Sequence, residues 1–429
     1  MTPPDPRLAG HVDIRRTVDA VWRIESARLI AGLVRMVRDV GLAEELAQDA
    51  LVAALERWPA DGVPDNPGAW LMATAKHRAI DRLRRSKLIQ GKHDELAYAL
   101  EHQQHDADAK VETSLDDPIG DDLLRLVFIA CHPVLSTDAQ VALTLRLLGG
   151  LATDEIARAF LVPEPTIAQR IVRAKRALAD ARVPFEVPRG DALVERMSSV
   201  LAVVYLVFNE GYAATAGDDW MRPQLCEEAL RLGRVVAGLM PREPEVHGLL
   251  ALMEIQASRT HARVGPAGEP VLLLDQDRAR WDRLLIRRGL AALECAEKLG
   301  GARGPYALQA AIAACHARAL TAAETDWARI AALYAVLAQV APSPVVELNR
   351  AVAVSMAAGP AAGLALVDAI AAEPTLRHYH LLPSVRGELL SRLGRLPEAR
   401  IEFERAAELT RNERERNLLR ARAAACTPA

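Results

Sequence analysis

The sequence predicts an all-α protein: two small helical domains joined by a flexible linker, the second carrying a helix-turn-helix, then a longer array of helix pairs. Helical periodicity runs through residues 10–88 and again from about 123 to 182. Between them the composition turns acidic and poor in large apolar residues. Beyond residue 190 the chain is rich in alanine, leucine and arginine, poor in strand signals, and broken at intervals by glycine and proline.

The first segment, 10–88, contains AEELAQDALVAALERW at 43–58. On a helix, Glu45, Gln48, Asp49 and Val52 share one face, while Leu42, Leu46, Leu51 and Leu55 are expected to pack inward. The segment ends in KHRAIDRLRRSK, where six lysines or arginines from Lys76 to Lys87 stand against the single acid Asp81. Arg78, Arg82, Arg84 and Arg85 belong to this local cation. From Gly91 to Asp122 ten acids stand against two lysines, which predicts a solvated linker over 89–122.

The second domain, 123–186, contains LATDEIARAFLVPEPTIAQRIVRAK at 151–175. Thr153 is placed to cap a short helix, Asp154 and Glu155 suit its first turn, and Ile156, Ala157 and Phe160 give it an apolar face. Val162-Pro163 stops it. After Pro165 a second helix sets Thr166, Ile167, Ile171, Ala174 and Leu178 on one face and Gln169, Arg170, Arg173 and Lys175 on the others. Two helices joined tightly, the second basic, suit a helix-turn-helix reading a DNA major groove. A packed hairpin whose arginines merely face water is the other reading.

VPFEVPRG at 183–190 marks the next break, and the array occupies 190–429. In GELLSRLGRLPEARIEFERAAEL, Leu389, Leu393, Gly394, Ala399, Phe403 and Ala406 sit where a tetratricopeptide repeat places its packing residues. VVELNRAVAVSMAAGPAAGLALVDAI repeats the pattern more loosely. The concave face of such an array holds a peptide or another domain.

Composition narrows the function. A net charge of -3 rules out a generally basic nucleic-acid coat, so DNA contact must come from local patches. The five cysteines are scattered without a CxxC pair, which suggests neither a disulfide framework nor a zinc site, and Cys131-His132 is expected to fill core or cap roles. No P-loop, metal-ligand cluster or nucleophile with its base is visible, so the expectation is a protein with no catalytic residues, no metal and no cofactor. No apolar run reaches membrane-helix length and the N-terminus lacks a signal pattern, which predicts a cytoplasmic protein without membrane contact.

In this order, the acidic helix at 43–58, NPGAWLMATAKHRAIDRLRRSK at 66–87, the linker and the helix-turn-helix resemble an extracytoplasmic-function sigma factor of the sigma-70 family over residues 10–186. CHPVLSTDAQVALTLRLLGGL, FLVPEPTIAQRIVRAKRAL and YLVFNEGYAAT are similar to its group-forty-two type, with a fused tetratricopeptide-like domain, and extend the resemblance over nearly the whole chain. The resemblance implies core RNA polymerase and promoter DNA as partners. It implies polymerase contact by Glu45, Gln48 and Asp49, minus-ten contact by Arg78, Arg82, Arg84 and Arg85, and minus-thirty-five readout by Thr166, Gln169, Arg170, Arg173 and Lys175. The loop from Pro59 to Asn66 would capture an unpaired base, and Trp70 is either core or a base contact.

Asn209-Glu210-Gly211-Tyr212 is the signature of the fused domain. It either caps a buried helix, with Gly211 in a left-handed terminus, or contacts the sigma segments. Regulation in cis is expected from the fusion, with no separate anti-sigma protein and a possible peptide or protein ligand for the array. The family's turn commonly carries glycine where this chain has Leu161, which implies a differently shaped turn. Two other readings stay open: a helix-turn-helix regulator with a tetratricopeptide sensor that is not a sigma subunit, and a repeat scaffold that never touches DNA.

Overall fold

Proline and glycine punctuate this chain where its helices start and stop. In the computed structural model, which describes residues 6–94, 119–160, 162–214, 216–217, 220–266 and 268–426, the chain divides into units Met1–Val203 and Val204–Ala429.

In the first unit, α1 (Pro6–Val37), α2 (Val40–Asp61) and α3 (Pro67–Asp94) pack mutually. Asp39 caps α2, its side chain accepting from the Leu42 N–H at 2.7 Å, and Gly62 ends it at φ +85°. Asn66 does the same for α3, accepting from the Ala69 N–H at 3.0 Å. The seam of α3 is Leu71, Ala75 and Ala79, four residues apart and fully buried, so the small alanines let α1 approach. The buried face of α2 is Ala43, Glu44, Leu46, Ala47, Ala50, Ala53, Ala54 and Trp58. Of the four leucines expected inside, only Leu46 is buried; Leu42 and Leu51 are half-buried and Leu55 is exposed. Alanine makes up most of the buried face, with Leu46 and Trp58 as its large residues.

The acidic stretch is shorter than expected as a linker. Helix α3 runs to Asp94 and α4 (Ile119–Ala130) already contains Asp122, while residues 95–118 lie outside the described residues. Then come α5 (Thr137–Leu147), α6 (Thr153–Phe160) and α7 (Glu164–Asp180), with α6 and α5 both packed on α7. Thr153 is the first helical residue rather than the cap. Ala152 holds the cap position, and its N–H donates to the Glu155 carboxylate at 2.8 Å, so the acid three residues on supplies what threonine was expected to give. Cys131 is buried against Thr144 Oγ1 at 3.5 Å, and burial pushes its thiol up to about 12; the neighbouring His132 Nδ1 accepts from Val134 N–H and braces the turn.

Helix α8 (Asp191–Tyr212) leads into the second unit. There α9 (Pro223–Leu239), α10 (Pro244–Ala257), α11 (Arg283–Lys298), α12 (Pro305–Arg318), α13 (Trp327–Val340), α14 (Pro344–Ala358), α15 (Pro360–Ile370), α16 (Leu381–Arg392), α17 (Leu396–Leu409) and α18 (Glu413–Ala425) follow. Each helix from α9 onward packs on the next, and α10 also meets α12 as α14 meets α16. The core therefore forms a chain of clusters: Ile255, Trp281 and Leu293, then Leu308, Ile330 and Leu337, then Leu348, Val367, Leu389 and Phe403. Leu393, expected as a packing residue, lies at the α16 terminus and is exposed.

Two short strands, β1 (Ala216–Gly217) between α8 and α9 and β2 (Arg411–Asn412) between α17 and α18, pair in parallel, Ala216 opposite Arg411. Asn412 Nδ2 adds a bond to the Ala214 carbonyl at 3.2 Å. The first and last parts of the second unit are thus clasped together.

Candidate nucleic-acid interface

The outer face of α7 holds Thr166, Gln169 and Arg173, all exposed, because Ile167, Ile171, Ala174 and Leu178 turn the opposite face inward. Among the described residues no ion pair or side-chain hydrogen bond engages Gln169 or Arg173. With Val134, Ser136 and Asp138 they line a groove of about 430 Å³. Arg170 lies in the same groove but turns to Asp138 at 3.1 Å. Lys175 points elsewhere, into an ion pair with Glu44 of α2. Leu161, whose turn shape the sequence put in question, lies outside the described residues.

On α2, Glu45 and Asp49 are exposed on one side, and Val52 and Leu55 extend that stripe with 50% and 40% of their surfaces exposed. Gln48 is half-buried, its amide donating to Glu44 at 2.9 Å. The residues assigned to polymerase and those assigned to DNA meet here: Arg82 pairs with Glu45 at 2.8 Å and Arg78 with Asp49 at 3.6 Å. Both pairs are about half exposed, a setting in which an ion pair contributes about 0–1 kcal/mol. Arg84 is exposed and has no partner among the described residues, and the side chain of Arg85 lies outside them. Helix α2 continues through Pro59 to Asp61, so the loop before α3 shrinks to Gly62–Asn66 and is largely exposed. Trp70 stands half-buried, edge-on to buried Trp58 with ring centroids 5.5 Å apart, which ties it to the core of the three-helix module.

Glu44 is the residue that sequence reasoning missed. Its side chain is 5% exposed and accepts from Arg146 Nε at 2.6 Å while pairing with Lys175, joining α2 to α5 and α7. Arg35 with Asp122 at 3.4 Å and Arg23 with Glu155 at 3.0 Å add two further ties between the three-helix module and the helices after the linker. The signal was the position of Glu44 within the alanine stripe Ala43, Ala47 and Ala50, one step off the exposed acidic face.

Asn209, Glu210, Gly211 and Tyr212 close α8. Gly211 is helical rather than left-handed; its role is close approach, since a Cβ there would lie 2.6 Å from the Cys226 backbone nitrogen. Glu210 pairs with Arg222, and the Tyr212 ring lies 3.5 Å below the Arg263 guanidinium, so these contacts are made within the second unit.

Residues 24–89 match the family model for sigma-70 region 2 and residues 125–178 the model for sigma-70, region 4. The chain carries the two sigma-70 domains of a sigma factor. Residues 196–297 of this sigma factor match a family of unknown function, DUF6596. It is 43% identical over 396 residues to an uncharacterized protein of Rhizobium meliloti, covering 91% of each chain. It is 28% identical over 168 residues to the probable ECF RNA polymerase sigma factor SigI of Mycobacterium tuberculosis, covering 39% of this chain and 56% of that one. Against the ECF RNA polymerase sigma factor SigK of Mycobacterium ulcerans the identity is 29% over 168 residues, 38% of this chain and 84% of the relative. No described helix of this sigma factor is long and apolar enough to cross a membrane.

Proposed function

We propose that this sigma factor directs promoter-specific initiation by core RNA polymerase and is regulated in cis by its C-terminal array, of group-forty-two, tetratricopeptide-like type. The exposed row of Thr166, Gln169 and Arg173 on α7 carries the reading, because arginine and glutamine can each make paired hydrogen bonds to a base edge. Helix α3 presents Arg78, Arg82 and Arg84 to promoter phosphates near the minus-ten element, and Arg85 is assigned the same role from the sequence alone. The stripe of Glu45, Asp49, Val52 and Leu55 faces polymerase, mixing charge with apolar area as protein contacts do.

The pairing of Glu45 with Arg82 and of Asp49 with Arg78 adds an exchange to this scheme. A polymerase surface that takes the two carboxylates frees two arginines for DNA, so core binding primes promoter binding. Abortive and run-off transcription with core enzyme and a genomic promoter library tests the function. Specific transcripts are expected, and E45R with D49R should abolish core binding in a pull-down. Promoter-dependent activity that survives the reversal would instead mark a regulator that does not replace a sigma subunit. For the array, a chain ending after Val187 should lose promoter activity; equal or higher activity would refute a positive role.

A further inference from the structure

Cations and aromatic rings alternate in one stack through the second unit. Arg263, after the turn Thr260–Ala262, lies 3.5 Å from the Tyr212 ring and 5.6 Å from that of Trp220. Arg259, at the end of α10, lies 5.8 Å from Tyr212 and 5.6 Å from Trp281. Arg278 lies 5.1 Å from the other partner of Arg259, Trp281. Arg263 and Arg278 are 6% and 5% exposed, whereas Arg259, Tyr212 and Trp220 remain partly open to solvent.

No carboxylate comes within ion-pair distance of these three guanidinium groups among the described residues. Arg278 donates to the carbonyls of His316 and Ala319 at 2.6 and 2.9 Å and to Thr325 Oγ1 at 2.8 Å, all neutral. Glu324 reaches Arg278 only through space, its carboxylate being held by the Leu320 and Thr321 N–H groups. Arg263 donates to the Tyr212 carbonyl, and among the described residues the Arg259 guanidinium makes no hydrogen bond. Burial, and then Arg259 and Arg278, push His316 down to about 4, so this imidazole stays neutral beside them.

Other enclosed arginines of the unit are treated differently. Arg222 has Glu210, and Arg386 has Glu402 at 2.7 Å. Aromatic faces attract a cation but cannot neutralise it, and like charges gathered away from water repel. Among the described residues the stack also contains donors with no acceptor: Nε of Arg259 and of Arg278, Nε1 of Trp220 and of Trp281, and the Tyr212 hydroxyl. Charge without a counter-charge and donors without acceptors have one chemical complement.

We propose that the second unit binds a compact oxyanion, a phosphate or carboxylate group, at Arg259 with Arg263 and Arg278, the rings of Tyr212 and Trp281 holding the guanidinium planes in place. Among the described residues the Arg259 guanidinium makes no hydrogen bond, so its edge donors stay free, and such donors grip oxyanions in pairs. This site is independent of the promoter reading of the first unit.

The test is isothermal titration of the full chain with sodium phosphate and, separately, with sodium acetate at constant ionic strength. Saturable binding of one anion per chain is expected, and whichever salt binds identifies the group. R259Q, which removes no hydrogen bond, should weaken binding by about tenfold or more, the scale of a lost charge-assisted contact. R400Q, at an exposed pair with Glu404, should leave it unchanged. Should R259Q misfold by circular dichroism, R259K keeps the charge with fewer edge donors and should bind more weakly than the natural chain. No saturable heat with either salt, or binding indifferent to the Arg259 substitution that folds, would overturn the proposal.

Discussion

Replacing Glu44 with glutamine tests how the two sigma modules of the first unit are held together. Its carboxylate accepts from Arg146 Nε at 2.6 Å and Gln48 Nε2 at 2.9 Å and pairs with Lys175, while only 5% of the side chain is exposed. Glutamine keeps the shape and removes the charge, leaving Arg146 and Lys175, 20% and 22% exposed, without a counter-ion. Breaking a buried pair in this way costs about 3–5 kcal/mol. Arg146 retains the Leu151 carbonyl at 3.1 Å and both cations can turn toward water, so about 2 kcal/mol is expected, close to a 30-fold shift toward separated modules. Hydrogen exchange of α5 and α7 amides in the full chain reads this directly, as roughly 30-fold faster opening. A double-mutant cycle with K175Q isolates the pair. Unchanged protection in E44Q, or single effects that add to within about 0.5 kcal/mol, would refute the coupling.

Arg173→Ala and Gln169→Ala should each weaken binding to a cognate upstream element by about 1–3 kcal/mol in fluorescence anisotropy and relax base preference there. Arg84→Ala should weaken binding to all sequences alike, lowering the salt slope by about one. Gly211→Ala forces a methyl against the Cys226 backbone nitrogen, which no rotamer can relieve, and should destabilise the second unit by about 1–3 kcal/mol in thermal melts. His316 is held neutral in the fold, its pKa lowered from 6.5 to about 4 by burial and then by Arg259 and Arg278, so the unfolded chain binds the extra proton. Stability of the second unit should therefore fall as pH drops from about 6.5 toward about 4, and His316→Asn should flatten that slope.

The helical architecture was legible because its signals are local. Proline at the first turn of α9, α10, α12, α14 and α15, and glycine at positive φ after α2 and before α15, mark boundaries without tertiary information. The α7 face was legible for the same reason: Ile167, Ile171, Ala174 and Leu178 fix which way Gln169 and Arg173 point. Which face of α2 turns inward was not legible: alanines, Leu46 and Trp58 form it, and Leu55 faces out. Ion pairing was equally hidden. The sequence separates Glu44 from Lys175 and shows both as ordinary surface charges, and only packing makes one the partner of the other. The uncompensated arginines of the array stood in no motif at all, since acids lie close to them in sequence and only the fold shows that, among the described residues, none comes within ion-pair distance.

The β1–β2 clasp sets a mechanical limit on the second unit. An open helical array behaves as a spring, because each repeat touches only its neighbours and small rotations add along its length. Pinning Ala216 beside Arg411 turns that spring into a hoop, in which any one joint can open only if others close. Deformation at one helix pair is then shared around the whole circumference. A repeat can be neither inserted nor deleted without re-registering the clasp, so the number of helices in this domain is fixed by its closure.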